Sequence, residues 1–265
     1  MRTDCEVVEW AHQESGEARC GDARLTKRLG LLLTRLGQSP GMSIPQACNG
    51  RHAEIAAAYR FFDNPSATPE NILGAHRQQS LMRMAEHSTV LLVQDTTEMD
   101  MSQPRRRIHG AGPLDDSPRQ GAFVHLMHAF TMEGTPLGSV WHKLLVRAPR
   151  PEDTAVVRQT RSQRQNTAIE DKESIRWIEG LAAAQSMAMA QPQVRMICVA
   201  DSEADIYEYL SHLPRTMPAQ EAQGTAHWIV RACQDRVLLK PEEEACGTLW
   251  EACQAAPVLW SKNLH

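Results

Sequence analysis

Apolar positions recur at helical spacing through the first third of the chain and gather into short runs after it. Val7, Val8, Trp10 and Ala11 stand among acids and predict a lead-in helix within residues 1–20. Gly21-Asp22 breaks it, and Asp22 can cap a second helix in which Leu25, Leu29, Leu32, Leu33 and Leu36 form one stripe. Residues 37–45, rich in Gly, Ser and Pro, read as a loop. A third helix is expected over roughly 51–62, with Ile55, Tyr59 and Phe61 beside Arg51 and Arg60. Asn64-Pro65 ends it, and Thr68-Pro69-Glu70 opens a fourth with a capping residue and a first-turn proline.

The pattern then changes to strands. Val90 to Val93 is a buried apolar run that stops on Gln94-Asp95-Thr96-Thr97. Residues 98–120 are polar, carry Arg105-Arg106-Arg107 and read as a long loop. Strands follow over 122–130 and 137–146, joined by the turn Glu133-Gly134-Thr135-Pro136. Residues 148–170, with Arg158, Arg161 and Arg164, read as a loop or frayed helix. A helix is expected over 171–189, with Ile175, Ile178, Leu181, Ala182 and Met189 on one side. Val194 to Ala200 is a fourth strand, ending on Asp201-Ser202-Glu203-Ala204-Asp205. A helix over 203–213 and a strand at 227–231 complete the order.

Strands one to three then form an antiparallel meander, and a crossover through the 171–189 helix lays strand four parallel to strand one. That order is ribonuclease-H-like, and it brings Asp95 and Asp201 to one edge of the sheet. Neighbouring strands lie about 5 Å apart, so the two carboxylates could share a hard divalent cation. Either aspartate alone is equally at home as a turn or cap residue.

Bulk properties restrict the function classes. An apolar fraction of 42% and a charged fraction of 23% describe an ordinary globular chain, and a net charge of −4 gives no global sign of nucleic-acid binding. The local balance differs. Between residues 24 and 60 the cations are Arg24, Lys27, Arg28, Arg35, Arg51 and Arg60 against Glu54 alone, six minus one, or +5. Such clustering suits phosphate contacts or a solvated basic face. Seven scattered cysteines without a Cys-x-x-Cys argue against a disulfide framework and a zinc site, and fit reduced thiols in a cytosolic protein. The first residues lack a signal-peptide core, and no run reaches the ~20 apolar residues of a membrane span. His125 and His128 alternate on strand two and read as structural; His109 reads as solvated, and Trp228 and Trp250 as core or cap residues.

Several blocks carry a resemblance to a known family. In the helical region they are Gly21-Asp22-Ala23-Arg24-Leu25-Thr26-Lys27-Arg28-Leu29, Gly41-Met42-Ser43-Ile44 and Ala58-Tyr59-Arg60-Phe61-Phe62-Asp63-Asn64-Pro65. Later come Gln94-Asp95-Thr96-Thr97, Glu173-Ser174-Ile175-Arg176-Trp177 and Asp201-Ser202-Glu203-Ala204-Asp205-Ile206-Tyr207-Glu208-Tyr209-Leu210. In order and separation the chain resembles the DDE transposases of the insertion-sequence-4 family, transposon-five type. The resemblance implies an α+β chain: an all-helical domain over 1–76 that grips transposon-end DNA, then a ribonuclease-H-like mixed-sheet core over 77–265. It implies double-stranded DNA as partner, a homodimer on DNA for the complete family enzyme, no membrane association, and a bacterial cytoplasmic, nucleoid-associated setting. It assigns Asp95 and Asp201 as the two catalytic aspartates, holding two Mg²⁺ or Mn²⁺ ions with a later Glu. Arg28, Tyr59 and Arg60 fall at motif positions that meet DNA, and Arg24 and Lys27 lie within the same basic cluster.

Two departures shape the expectation. Ser202 stands where close relatives carry Arg. The family's late pattern, Tyr-x-x-Arg-x-x-x-Glu-x-x-x-x-x-x-Lys, does not occur, so the core is expected to be incomplete and to cut DNA poorly. Glu203 and Asp205 are expected to support the following helix rather than bind metal. Three readings follow: a transposase polypeptide, a remnant that binds DNA ends without cutting, and an unrelated Mg²⁺-dependent phosphohydrolase.

Overall fold

A computed structural model describes residues 4–103, 108–115, 118–148, 167–212, 224–239 and 245–257. The expected segments Arg105-Arg106-Arg107 and Arg158, Arg161 and Arg164 lie outside these residues.

The chain opens with α1 (Asp4–Gly16), α2 (Ala23–Gln38), α3 (Ile44–Ala47), α4 (His52–Phe62) and α5 (Pro69–Ala85). Asp22 caps α2 by accepting from the Arg24 backbone N–H at 2.7 Å. The capping box of Ser43 and Gln46 starts the short α3 at the end of the expected 37–45 loop. α1 lies close on α2 because Gly30 and Gly37 face it. A Cβ on Gly37 would stand 2.9 Å from Val7 and 3.2 Å from Trp10, and one on Gly30 would stand 2.9 Å from Ser15. Leu29 and Leu32 from the leucine stripe, with Ala58, Phe61 and Ala75, form the buried centre of this helical unit.

The remaining elements are β1 (Thr89–Asp100), β2 (Gly112–Pro113), β3 (Gln120–Phe130), β4 (Pro136–Leu145), α6 (Ile175–Ala190), β5 (Arg195–Ala200), α7 (Tyr207–His212), β6 (His227–Val230), β7 (Val237–Leu239), β8 (Ala245–Thr248) and α8 (Leu249–Ala255). The main sheet runs β4-β3-β1-β5-β6, with β2 pairing to the start of β3. β3 is antiparallel to β1 and β4, while β5 is parallel to β1 and β6. The meander and the parallel fourth strand expected from the sequence are both present. Val90 and Leu92 of β1 pack with Met196 and Cys198 of β5 against Trp177, Leu181 and Ala184 of α6.

Three boundaries differ from expectation. β1 does not stop at Asp95 but continues to Asp100, because β3 accompanies it as far as the Asp100–Gly121 pair. What ends near Asp95 is the parallel pairing with β5, whose last pair is Val93–Val199. The expected 203–213 helix is a 3₁₀ turn at Ser202–Ala204 followed by α7, because the Asp205 side chain is held elsewhere. On α6 the buried stripe runs through Trp177, Leu181, Ala184 and Ala188, whereas Met189 is 68% exposed and Ala182 also faces solvent. The alanine-rich helix offers little polar contrast from which to fix its rotation. Trp228 and Trp250, expected as core or cap residues, are not in the core, being 43% and 38% exposed.

Residue 76, the expected domain border, lies in the middle of α5. Ala75 belongs to the helical core and Met84 to the sheet core. A polar knot ties the units at this point. The buried Glu14 carboxylate receives His76 Nδ1 at 2.6 Å and the Arg83 guanidinium at 2.8 Å. Arg83 Nε donates to the Leu137 carbonyl at 2.7 Å, and the Ser139 N–H donates to His76 Nε2 at 2.9 Å. That last bond places the neutral imidazole's proton on Nδ1, facing Glu14. Burial alone would raise the Glu14 pKa, but His76 and Arg83 outweigh it and hold the carboxylate below its usual range.

Candidate functional site

Two surfaces carry the candidate residues. The first is the sheet edge where the parallel strands run out. Val93, Val199 and Ile229 are aligned across β1, β5 and β6. Two residues further along each chain stand Asp95, Asp201 and Arg231. The register therefore gathers both aspartates expected from the sequence and adds an arginine on the far side of Asp201. Arg231 continues the ladder through its N–H to the Ala200 carbonyl, at 3.1 Å. Asp95 and Asp201 are exposed, and each carboxylate takes one backbone donor at 2.8 Å, from Thr96 and Glu203 respectively. Two hard oxygen donors with unshared lone pairs suit Mg²⁺ or Mn²⁺. Among the described residues, no group of three or more His, Cys, Asp and Glu stands together in a way that could hold a metal ion.

Beneath the aspartates runs a hydrogen-bonded chain that sequence reading did not find. Arg176 on α6 donates through Nε to Thr96 Oγ1 at 3.0 Å and through Nη2 to Glu203 at 2.7 Å. It thus braces the residue after Asp95 and a residue just past Asp201. Gln94 Oε1 can only accept, so the His125 proton belongs on Nε2 and Nδ1 accepts the Thr96 hydroxyl hydrogen, 2.8 Å away. Nε2 in turn donates to Gln94 Oε1 at 3.1 Å. Gln94 passes its amide N–H to Cys198 Sγ at 2.9 Å. Gln94, Thr96 and Arg176 all stand in blocks that carry the family resemblance, and Gln94 is also polar at the buried parity of Val90 and Leu92. Nothing in their spacing joins them into one chain.

His125 is fully buried, edge-on to Trp177 at 4.5 Å and Trp141 at 5.7 Å. Burial, helped by Arg176 and Lys143, pushes its pKa down to about 4. The histidine is therefore structural and neutral. An unfolded histidine takes its proton near pH 6.5. The folded protein does so only near 4, so this part of the stability is complete above pH 6.5 and is lost as the pH falls toward 4. By pH 5 the loss is expected to be about 2 kcal/mol. Urea denaturation at pH 7 and pH 5 measures it, and in His125→Gln this pH dependence should flatten whatever the absolute stability.

Glu203 and Asp205 are both engaged. Glu203 pairs with Arg176, while Asp205 is buried and takes the N–H groups of Cys233 and Gln234 and the Arg236 guanidinium.

The second surface lies on α2 and α4. Lys27, Arg51, Tyr59 and Arg60 are exposed, and Phe62 stands beside them, 48% exposed. Arg60 holds its Nε on the Ala56 carbonyl at 3.3 Å, which leaves its other N–H groups outward. Arg24 is also exposed but folds back on its own cap, Asp22, at 2.9 Å. Arg28 is only partly exposed, and it shares Glu54 with Arg35 at 2.9 and 2.7 Å. The five expected DNA-binding residues are therefore placed on one helical unit but in different states of pairing. Residues 8–67, which span these helices, match the transposase DNA-binding family. The match supports a transposase that binds DNA. Its residues run from within α1 to just past α4 and include Arg24, Lys27, Arg28, Tyr59 and Arg60. Among the described residues no helix is long and apolar enough to cross a membrane. All seven cysteines are free thiols.

Proposed function

We propose that the protein is a transposase polypeptide of the insertion-sequence-4, DDE type that grips double-stranded transposon-end DNA in the bacterial cytoplasm. The observation that carries this reading is that the transposase DNA-binding match covers the helices presenting Lys27, Arg51, Tyr59 and Arg60 to solvent. Arginine and lysine there neutralise phosphates, and an exposed tyrosine supplies a flat face for sugar or base.

The sheet supports the catalytic half of the proposal. Three antiparallel strands followed by two parallel ones, in the order β4-β3-β1-β5-β6, fit a ribonuclease-H-like core. Asp95 and Asp201 would hold divalent metal, which when bound activates a water or 3′-hydroxyl and stabilises the leaving oxygen. Arg176 ties the Thr96 and Glu203 side chains just beyond the two aspartates, and Arg231 offers a cation beside Asp201 for a scissile phosphate. One observation favours a second reading, a DNA-end binder that does not cut: no third carboxylate joins the pair among the described residues.

Fluorescence anisotropy with labelled duplexes across a salt series tests the DNA reading. Arg60→Ala should weaken binding and reduce the log–log salt slope by about 0.9. Tyr59→Ala should weaken binding with the slope unchanged. Unaltered affinity in both variants would remove these helices from the interface. Nicking of supercoiled DNA in Mg²⁺, abolished by Asp95→Ala, would favour the cutting form over the binding-only form.

A further inference from the structure

The basic surface contains its own restraint. Arg28 and Arg35 are seven residues apart on α2, so they lie two turns apart on one face, and Glu54 from the first turn of α4 stands against both. Both guanidiniums meet the same carboxylate oxygen, Oε2, at 2.9 and 2.7 Å. Arg35 also touches Cys48 Sγ at 3.5 Å. All three charged side chains are partly exposed, at 29%, 23% and 31%. Glu54 is the only acid in the 24–60 stretch, and it is spent on two of the six cations. Arg35, then Arg28, hold its carboxyl below the usual range.

We propose that Glu54 limits sequence-independent DNA binding by keeping Arg28 and Arg35 paired until a correctly seated duplex engages them. The inference rests on the DNA-binding reading above. A passing phosphate meets a cluster whose charge is one less than its arginines supply, and must approach a carboxylate of its own sign. A duplex held by Lys27, Arg51, Tyr59 and Arg60 stays long enough to draw on the remaining N–H groups of the pair, since each guanidinium has five donors and Glu54 occupies few of them. Discrimination then comes from a repulsive element placed among attractive ones.

The test compares the full chain with Glu54→Gln on a random-sequence duplex by anisotropy between 50 and 200 mM salt. Glu54→Gln should bind about three- to tenfold tighter at the low-salt end, with a salt slope steeper by about one. Glu54→Asp, which keeps the charge and is too short to reach both arginines, should fall between the two. Circular dichroism and a thermal melt confirm that each variant is folded. Equal or weaker binding by folded Glu54→Gln overturns this proposal while leaving the DNA reading intact. No binding by any form, at any salt, overturns both.

Discussion

Asp205→Ala should cost about 4 kcal/mol of folding free energy, the scale expected when one member of a buried, hydrogen-bonded ion pair is removed. The Asp205 carboxylate is 3% exposed. One oxygen accepts from the Cys233 and Gln234 N–H groups at 2.7 and 3.0 Å, and the other takes two Arg236 contacts at 3.1 and 2.7 Å. Burial alone would raise its pKa, yet these donors outweigh burial and hold it below the usual carboxylate range. A depressed carboxylate stabilises the fold above its unfolded pKa and loses that contribution as the pH falls through the folded value. The wild type should therefore weaken in acid below about pH 4, and Asp205→Ala should have less of this term to lose. Urea denaturation at pH 7 gives the free energy. Hydrogen exchange at the Cys233 and Gln234 amides gives the location, since those donors lose their acceptor. A loss under about 1 kcal/mol would mean that the segment holding β7 and β8 is anchored by other contacts.

Gly180→Ala is the second variant with a large expected effect, and two opposing terms decide its sign. Alanine in a helix interior gains about 1 kcal/mol over glycine. A Cβ at residue 180, however, would stand 2.0 Å from Gln94 Oε1 and 2.8 Å from Gln94 Cδ. The amide cannot rotate away. It is buried, accepts from His125 Nε2 and donates to Cys198 Sγ. Relief requires moving α6 off the sheet or breaking the chain of bonds that reaches Arg176. Overpacking of this kind costs about 1–3 kcal/mol, and a stranded buried polar group adds a similar amount. A net loss of about 2–3 kcal/mol is expected, with a lower thermal midpoint. A variant as stable as the wild type would show that α6 sits more loosely on β1 than these distances imply.

The fold was legible where side-chain period and burial coincide. Val90 and Leu92 announced β1, the leucines of α2 announced its buried face, and Asp22 and Thr68 announced two helix starts through their short acceptor side chains. Register was legible too, because two apolar runs each followed by an aspartate, Asp95 and Asp201, align when laid parallel. What failed to show was the effect of partners distant in sequence. β1 outlasts its apolar run because β3 supplies hydrogen bonds to Asp100. The 203–213 helix breaks because residues 233, 234 and 236 claim Asp205. Arg176 braces Thr96 and Glu203 across separations that no local pattern encodes. The five DNA-binding candidates came from the family resemblance, for Arg28, Tyr59 and Arg60, and from local charge, for Arg24 and Lys27. Neither reported that Arg24 is turned onto Asp22 or that Arg28 shares Glu54.

The placement of α5 has a consequence for distance. Its 17 residues begin in the helical core and finish in the sheet core, and the knot of Glu14, His76 and Arg83 fixes the crossing between them. An unbroken helix of that length is a rod of about 25 Å. On the proposed function, a duplex held at Tyr59 and Arg60 would then have its reactive phosphodiester at a set number of base pairs from the point of grip. The protein would measure its substrate by the length of a helix.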